Sequence, residues 1–135
     1  MVRDNCLCLH TQRAARALAR HFDEAFRALN LTNTQFSLMM SLNRPSPASM
    51  GAVASVLAID RTTLTAALKP LQRRKLVRVR ASPKDKRVRL MELTGAGRTL
   101  LVKAVPIWRK AHTDVEALLG NSNADGLRRV LLALS

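Results

Sequence analysis

The sequence predicts a mainly α-helical chain with one small antiparallel β-hairpin. Apolar residues recur at helical spacing through most of its length, and the period shortens to two only between Val77 and Leu90. Between those two alternating stretches lies Ser82-Pro83-Lys84-Asp85-Lys86, whose Pro and Asp supply turn chemistry. A length of 135 residues suits one domain, residues 1–135. A hydrophobic content of 47% excludes intrinsic disorder, so the chain should fold.

From about Cys6 to Leu29, Leu18, Phe22, Ala25, Phe26 and Leu29 keep helical spacing while Arg13, Arg16, Arg20 and Arg27 fall largely elsewhere, which predicts an amphipathic helix. Thr32-Asn33-Thr34-Gln35 has the form of a capping box for a second helix carrying Phe36, Met39, Met40 and Leu42. Arg44-Pro45 ends it. A short third helix runs from Ser49 to about Leu57, with Met50, Val53, Ala54 and Leu57 on its inner face.

The fourth helix, Arg61 to about Lys75, has Asp60 as N-cap. Leu64, Leu68 and Leu71 form one face; Thr62, Thr65, Ala66, Lys69 and Arg73 form another that is small, hydroxylic and basic. Such a face fits a major groove: short side chains permit close approach, hydroxyls and cations reach phosphates and base edges, and no carboxylate repels the backbone. Pro70 cannot donate to the Ala66 carbonyl and should kink that turn.

Val77, Val79 and Ala81 alternate with Arg78 and Arg80, and Val88 and Leu90 alternate with Arg87 and Arg89, which predicts two strands around a basic tip. After Thr94 a long helix carries Leu101, Ala104, Trp108, Ala111, Val115 and Leu118 as a heptad seam, with Pro106 expected to bend it. Gly120 fits the position just past its end, and Asn121-Ser122-Asn123 caps a last helix with Leu127, Val130, Leu131 and Leu134.

The formal net charge is +14, from 23 Lys and Arg against 9 Asp and Glu. Residues 60–89 hold eleven of the cations (Arg61, Lys69, Arg73, Arg74, Lys75, Arg78, Arg80, Lys84, Lys86, Arg87 and Arg89) against Asp60 and Asp85. A surplus of nine charges in thirty residues coincides with a helix-turn-helix and the hairpin after it. Two elements could therefore engage double-stranded DNA together.

Asp60-Arg61-Thr62-Thr63-Leu64-Thr65, Leu68-Lys69-Pro70-Leu71, Arg74-Lys75-Leu76-Val77, Asp85-Lys86-Arg87 and Leu93-Thr94-Gly95-Ala96-Gly97, with Leu31-Thr32-Asn33-Thr34-Gln35-Phe36 upstream, resemble the MarR family of bacterial regulators. The resemblance covers nearly the whole chain. It implies a winged helix-turn-helix with a DNA-binding lobe at about 32–93 and N- and C-terminal dimerisation helices at about 6–29 and 95–134. It also implies a homodimer straddling a palindromic operator, a repressor released by a small-molecule or oxidant signal in the bacterial cytoplasm, at the nucleoid. Arg61, Thr62, Thr63 and Thr65 resemble the start of the recognition helix, and Lys69 the residue two turns on. Arg87 matches the family's minor-groove wing arginine and Asp85 its orienting carboxylate, a role that the negative potential of a narrow groove explains. Arg73, Lys84 and Lys86 complete the candidate DNA-binding set. Ala66 stands where many members carry Arg, so operator preference is not transferable from relatives.

The spacing of Cys8 from Leu31-Thr32 resembles that of the peroxide-sensing cysteine in the organic-hydroperoxide-resistance repressors. Those proteins hold the thiol with tyrosines; this chain has no Tyr, and Gln12 and Phe22 occupy the matching positions. Cys8 is thus a candidate redox sensor if Arg13 or His10 activates it. The plainer reading of Cys6 and Cys8 is two small buried residues at a dimer interface. The family's other route to release, a small aromatic or carboxylate effector, would use the cleft between dimer helices and winged helix, where His10, Arg13, Arg16, Phe22 and Met39 could lie.

Other classes fit poorly. Cys6, Cys8 and His10 are two apart, so on a helix they diverge by about 200° and no metal site is expected. No cofactor is predicted. The three histidines His10, His21 and His112 accompany no nucleophile elbow or phosphate-binding glycine loop, so no enzyme is expected. An aromatic content of 3% disfavours a base-stacking single-strand binder. No apolar run approaches a membrane span. The alternative is a nonspecific architectural DNA-binding protein, which would not need the groove-facing Thr62, Thr65 and Ala66.

Overall fold

A computed structural model describes residues 1–135. The elements in order are α1 (Val2–Asn5), α2 (Leu7–Ala25), a 3-10 turn (Arg27–Leu29), α3 (Asn33–Ser41), β1 (Ala48–Ser49), α4 (Met50–Leu57), α5 (Arg61–Arg73), β2 (Val77–Ala81), β3 (Arg89–Leu93), α6 (Gly95–Leu118) and α7 (Ala124–Ala133). Local chemistry sets most boundaries. Thr32 and Gln35 form the expected reciprocal capping box; Ser49, Asp60, Thr94 and Asn123 each accept a backbone N–H at the start of α4, α5, α6 and α7. Gly120, with φ +58°, follows the end of α6. Pro70 and Pro106 lie inside α5 and α6, which continue past them.

The first long helix starts where expected, with Cys6 capping α2, its Sγ accepting the Leu9 N–H at 3.4 Å, and the short α1 precedes it. At the other end the chain tightens into the 3-10 turn and leaves it through Asn30 in the left-handed region, φ 53°.

The sheet has three antiparallel strands in the order β1-β3-β2. The hairpin was expected, and its third strand was not: Ala48 and Ser49 pair with Met91 and Leu90. The inward phase of β3 also differs by one residue. Val79 faces Met91 and Val77 faces Leu93 across the hairpin, so Met91 and Leu93 are buried while Val88 is exposed and Leu90 half-buried. The core beneath β1 and β2 selects the phase, because a one-residue shift would move every β3 side chain to the opposite face.

Phe26 packs on Phe36 with ring centroids 4.6 Å apart, and Leu38, Met39, Leu64, Leu68 and Leu71 complete the core under α3 and α5. The heptad seam of α6 is used within the chain. Leu101, Ala104 and Ala111 are buried, with Trp108 and Val115 packed against the core; only Leu118, at 83% exposure, points away. Within the single chain α2 and α3 pack along that seam. By contrast α7 buries no residue. Its apolar residues Leu127, Val130, Leu131 and Leu134 are all exposed in the single chain.

No single helix is long and apolar enough to cross a membrane.

Candidate nucleic-acid interface

The site begins with the cap of α5. Asp60 Oδ1 accepts the Thr63 N–H at 2.7 Å. That backbone hydrogen bond, with a second contribution from the Thr63 hydroxyl, holds the Asp60 carboxyl below its ordinary pKa. Downstream of this start, Arg61, Thr62, Thr65, Ala66 and Lys69 line one open surface hollow of about 330 Å³. Helical spacing predicted the grouping of Thr62, Thr65, Ala66 and Lys69; Arg73, expected on the same face, lies outside the hollow and Arg61 joins it. Thr65 donates its hydroxyl proton to Arg61 O at 2.8 Å, leaving its oxygen as an acceptor. Thr63 and Arg73 are also exposed on α5.

The wing tip is tied by local hydrogen bonds. Ser82 N donates to Val88 O at 2.8 Å and Val88 N to Asp85 O at 2.9 Å. Asp85 Oδ1 accepts both the Arg87 backbone N–H at 3.0 Å and Arg87 Nε at 3.2 Å, while Nη2 donates to Oδ2 at 3.3 Å. The Arg87 guanidinium, and then its backbone N–H, hold the Asp85 carboxyl below its ordinary range. Arg87 is nonetheless 92% exposed. Its direction is set by a short intraloop fork while its charge faces solvent.

The two elements converge. Arg61 from α5 and Arg87 from the wing line a common cleft of about 200 Å³ with Ser49, Met50, Gly51, Val88 and Arg89. Ser49 and Gly51, in the first turn of α4, were not singled out from sequence because their position depends on β1 pairing with β3. Lys69, Arg73, Lys84 and Lys86 remain exposed and make no ion pair.

Three of the eleven cations have other partners. Arg78 lies 2.9 Å from Glu92 Oε1 and Arg80 lies 3.7 Å from the same oxygen, across the β2–β3 ladder. Arg74 donates to the carbonyls of Leu29 and Asn30. The uniform count of a basic run did not separate these from free charges.

Cys8 is exposed on α2, and Gln12 Nε2 donates to its Sγ at 3.3 Å. The amide thus reaches the thiol from one of the two positions that the resemblance matched to tyrosine. Phe22 is buried in the core and makes no such contact. His10 instead bonds Asp4 O at 3.1 Å. In the single chain Cys6 is half-buried and Cys8 exposed. Nor do the suggested effector-cleft residues gather: Phe22 and Met39 are core, and His10, Arg13 and Arg16 lie exposed along α2. A roomier hollow of about 530 Å³ lies between α3, α4 and α6, lined by Phe36, Met40, Val56, Leu57, Trp108 and Arg109 among others. No group of three His, Cys, Asp or Glu side chains is placed to hold a metal ion.

The profile described as the MarR family matches residues 31–88, which contain α3, β1, α4, α5, β2 and the wing tip. The HTH-type transcriptional repressor NicR of Pseudomonas putida is 32% identical over 104 residues, covering 77% of this chain and 63% of NicR. The chain thus aligns with somewhat less than two thirds of that relative's length. An organic hydroperoxide resistance transcriptional regulator of Bacillus subtilis is 28% identical over 104 residues, 77% of this chain and 71% of the relative. Among solved structures, the M. tuberculosis transcriptional regulator MosR in complex with DNA superposes with a TM-score of 0.86 at 40% identity, over 96% of this chain and 93% of MosR. With the capped α5, the Asp85–Arg87 wing and these likenesses together, the chain belongs to the MarR family.

Proposed function

We propose that the protein is a sequence-specific, double-stranded-DNA-binding transcriptional regulator without enzymatic activity. It acts as a homodimeric repressor that leaves a palindromic operator on a small-molecule or oxidant signal. The observation that carries this reading is the convergence of Arg61 and Arg87 on one cleft beside the Thr62, Thr65, Ala66 and Lys69 surface. A helix face for the major groove and an arginine for the minor groove would then engage one duplex together.

Dimerisation is supported by α7, which exposes Val130 at 58% and Leu132 at 72% with no buried residue of its own. An amphipathic helix with no cover in its own chain gains from burial against a second copy. A small aromatic carboxylate fits the hollow between α3, α4 and α6, where Phe36 and Trp108 offer faces and Arg109 a cation. Oxidant release draws support from the exposed, amide-bonded thiol of Cys8.

Selection of bound duplexes from a random library tests the reading. It should return one two-fold site, bound on the order of 10³-fold more tightly than random duplex at physiological salt. Equal retention of selected and random duplexes would favour the architectural alternative. Repeating the binding with peroxide and with small aromatic acids then identifies the class of signal.

A further inference from the structure

The chain turns a tightly held corner between α2 and α3. Asn30 sits there in the left-handed region with φ 53°. Asp23, on α2, accepts the Asn33 N–H of α3 at 2.6 Å. Thr32 and Gln35 exchange hydrogen bonds of 3.0 and 3.1 Å across the first turn of α3. These contacts fix the corner without reference to α5.

Arg74, the residue that ends α5, reaches that corner. Its Nη1 donates to Asn30 O at 2.6 Å and its Nη2 to Leu29 O at 3.1 Å. The partners are 44 and 45 residues away in sequence. Beneath this fork lies a hollow of about 280 Å³, lined by Asp23, Arg27, Gln35, Pro70 and Arg74 among others. Apolar packing therefore does not join the end of α2 to the last turn of α5 here, and the guanidinium spans the gap. Its planar pair of donors suits two neighbouring carbonyls, which a lysine ammonium cannot engage with the same fixed geometry.

We propose that Arg74 is a positioning residue for operator recognition. It locks the recognition helix to the α2–α3 corner, and so to the dimerisation helix, and makes no phosphate contact. In a two-fold assembly that lock sets how far apart and at what tilt the two copies of α5 meet their half-sites. This inference rests on the reading of the protein as a dimeric operator binder.

The test compares wild type, Arg74→Ala, Arg74→Lys and Arg87→Ala on three duplexes: the selected site, the same site with one base pair inserted between half-sites, and a random sequence. If wild type does not prefer the selected site, the functional reading fails and the Arg74 assignment fails with it. Given that preference, Arg74→Ala should lose about tenfold in affinity for the selected site, the scale of a hydrogen-bonded charged group. Its discrimination against the inserted base pair should shrink as well. Its salt dependence should stay at the wild-type slope, whereas Arg87→Ala flattens by about one unit. Arg74→Lys, which keeps the charge and tolerates folding defects better, should behave like Arg74→Ala. A slope reduced by about one in Arg74→Ala and restored in Arg74→Lys would make Arg74 a phosphate contact and overturn the proposal. Unchanged affinity and spacing discrimination in both variants would also overturn it.

Discussion

Gly97 stands directly over the carbonyl oxygen of Leu76: a β-carbon on Gly97 would lie 2.1 Å from it. The same oxygen accepts the Thr94 N–H at 3.0 Å and is within 3.2 Å of the Thr94 hydroxyl. The start of α6 is thereby fastened to the chain just where it leaves α5 and enters the wing. Because the obstacle is backbone, it cannot rotate away. Gly97→Ala should destabilise the fold by about 2 kcal/mol or more through forced displacement, read as a lowered urea midpoint. A loss below about 0.5 kcal/mol, within the range of an ordinary surface change, would contradict this close approach.

Lys75, between Arg74 and Leu76, has φ 58°. A side chain with a β-carbon is strained in that region, and glycine is not. Lys75→Gly should therefore stabilise the protein by roughly 0.5 to 1 kcal/mol, while Lys75→Ala should not. Equilibrium unfolding of both variants checks this, and equal effects would refer the change to the lost charge instead.

Arg87 and Asp85 should make separable contributions to operator binding. Arg87→Ala should weaken operator binding and flatten its salt dependence by about one unit. Asp85→Ala removes the fork but leaves the cation, so affinity for the selected site should fall with no flattening. Titrations on one duplex at several salt concentrations distinguish the two outcomes.

Asp60 and Asp85 both have carboxyl pKa values lowered in the folded chain. A lowered folded value means the contribution to stability is present above the ordinary carboxylate pKa and lost as pH falls through the lowered one. Thermal stability should accordingly decline as pH drops below about 4. In the double variant Asp60→Asn, Asp85→Asn the acid limb should be flatter. An unchanged acid limb would show that other carboxylates dominate.

Cys8, if it carries the oxidant response, should make release from DNA depend on its thiol. Peroxide should dissociate wild type and leave Cys8→Ser bound. Identical responses in both proteins would exclude the residue as the sensor.

Helix starts were the most legible part of the sequence because their cause is local. Thr32 with Gln35, Ser49, Asp60 and Thr94 each carry the cap within three residues of the groups they satisfy. The hydroxylic and basic side of α5 was legible for the same reason, since helical spacing groups Thr62, Thr65, Ala66 and Lys69. What stayed hidden depends on distant partners. Val88 and Leu90 alternate with arginines as convincingly as Met91 and Leu93 do with Glu92, and only pairing with β2 decides which set faces the core. Arg74, Arg78 and Arg80 look like any other cations in a basic run. Their roles follow from Leu29, Asn30 and Glu92, reached through the fold.

The last helix has a consequence for the cell as well as for the chain. Because α7 buries no residue within its own chain, the proposed homodimer would make completing its fold and finding a second copy one event. Newly made chains below the pairing concentration would carry an open, protease-accessible tail. Turnover would then fall on unpaired copies first, and at low abundance the amount of protein competent for an operator would rise with roughly the square of synthesis.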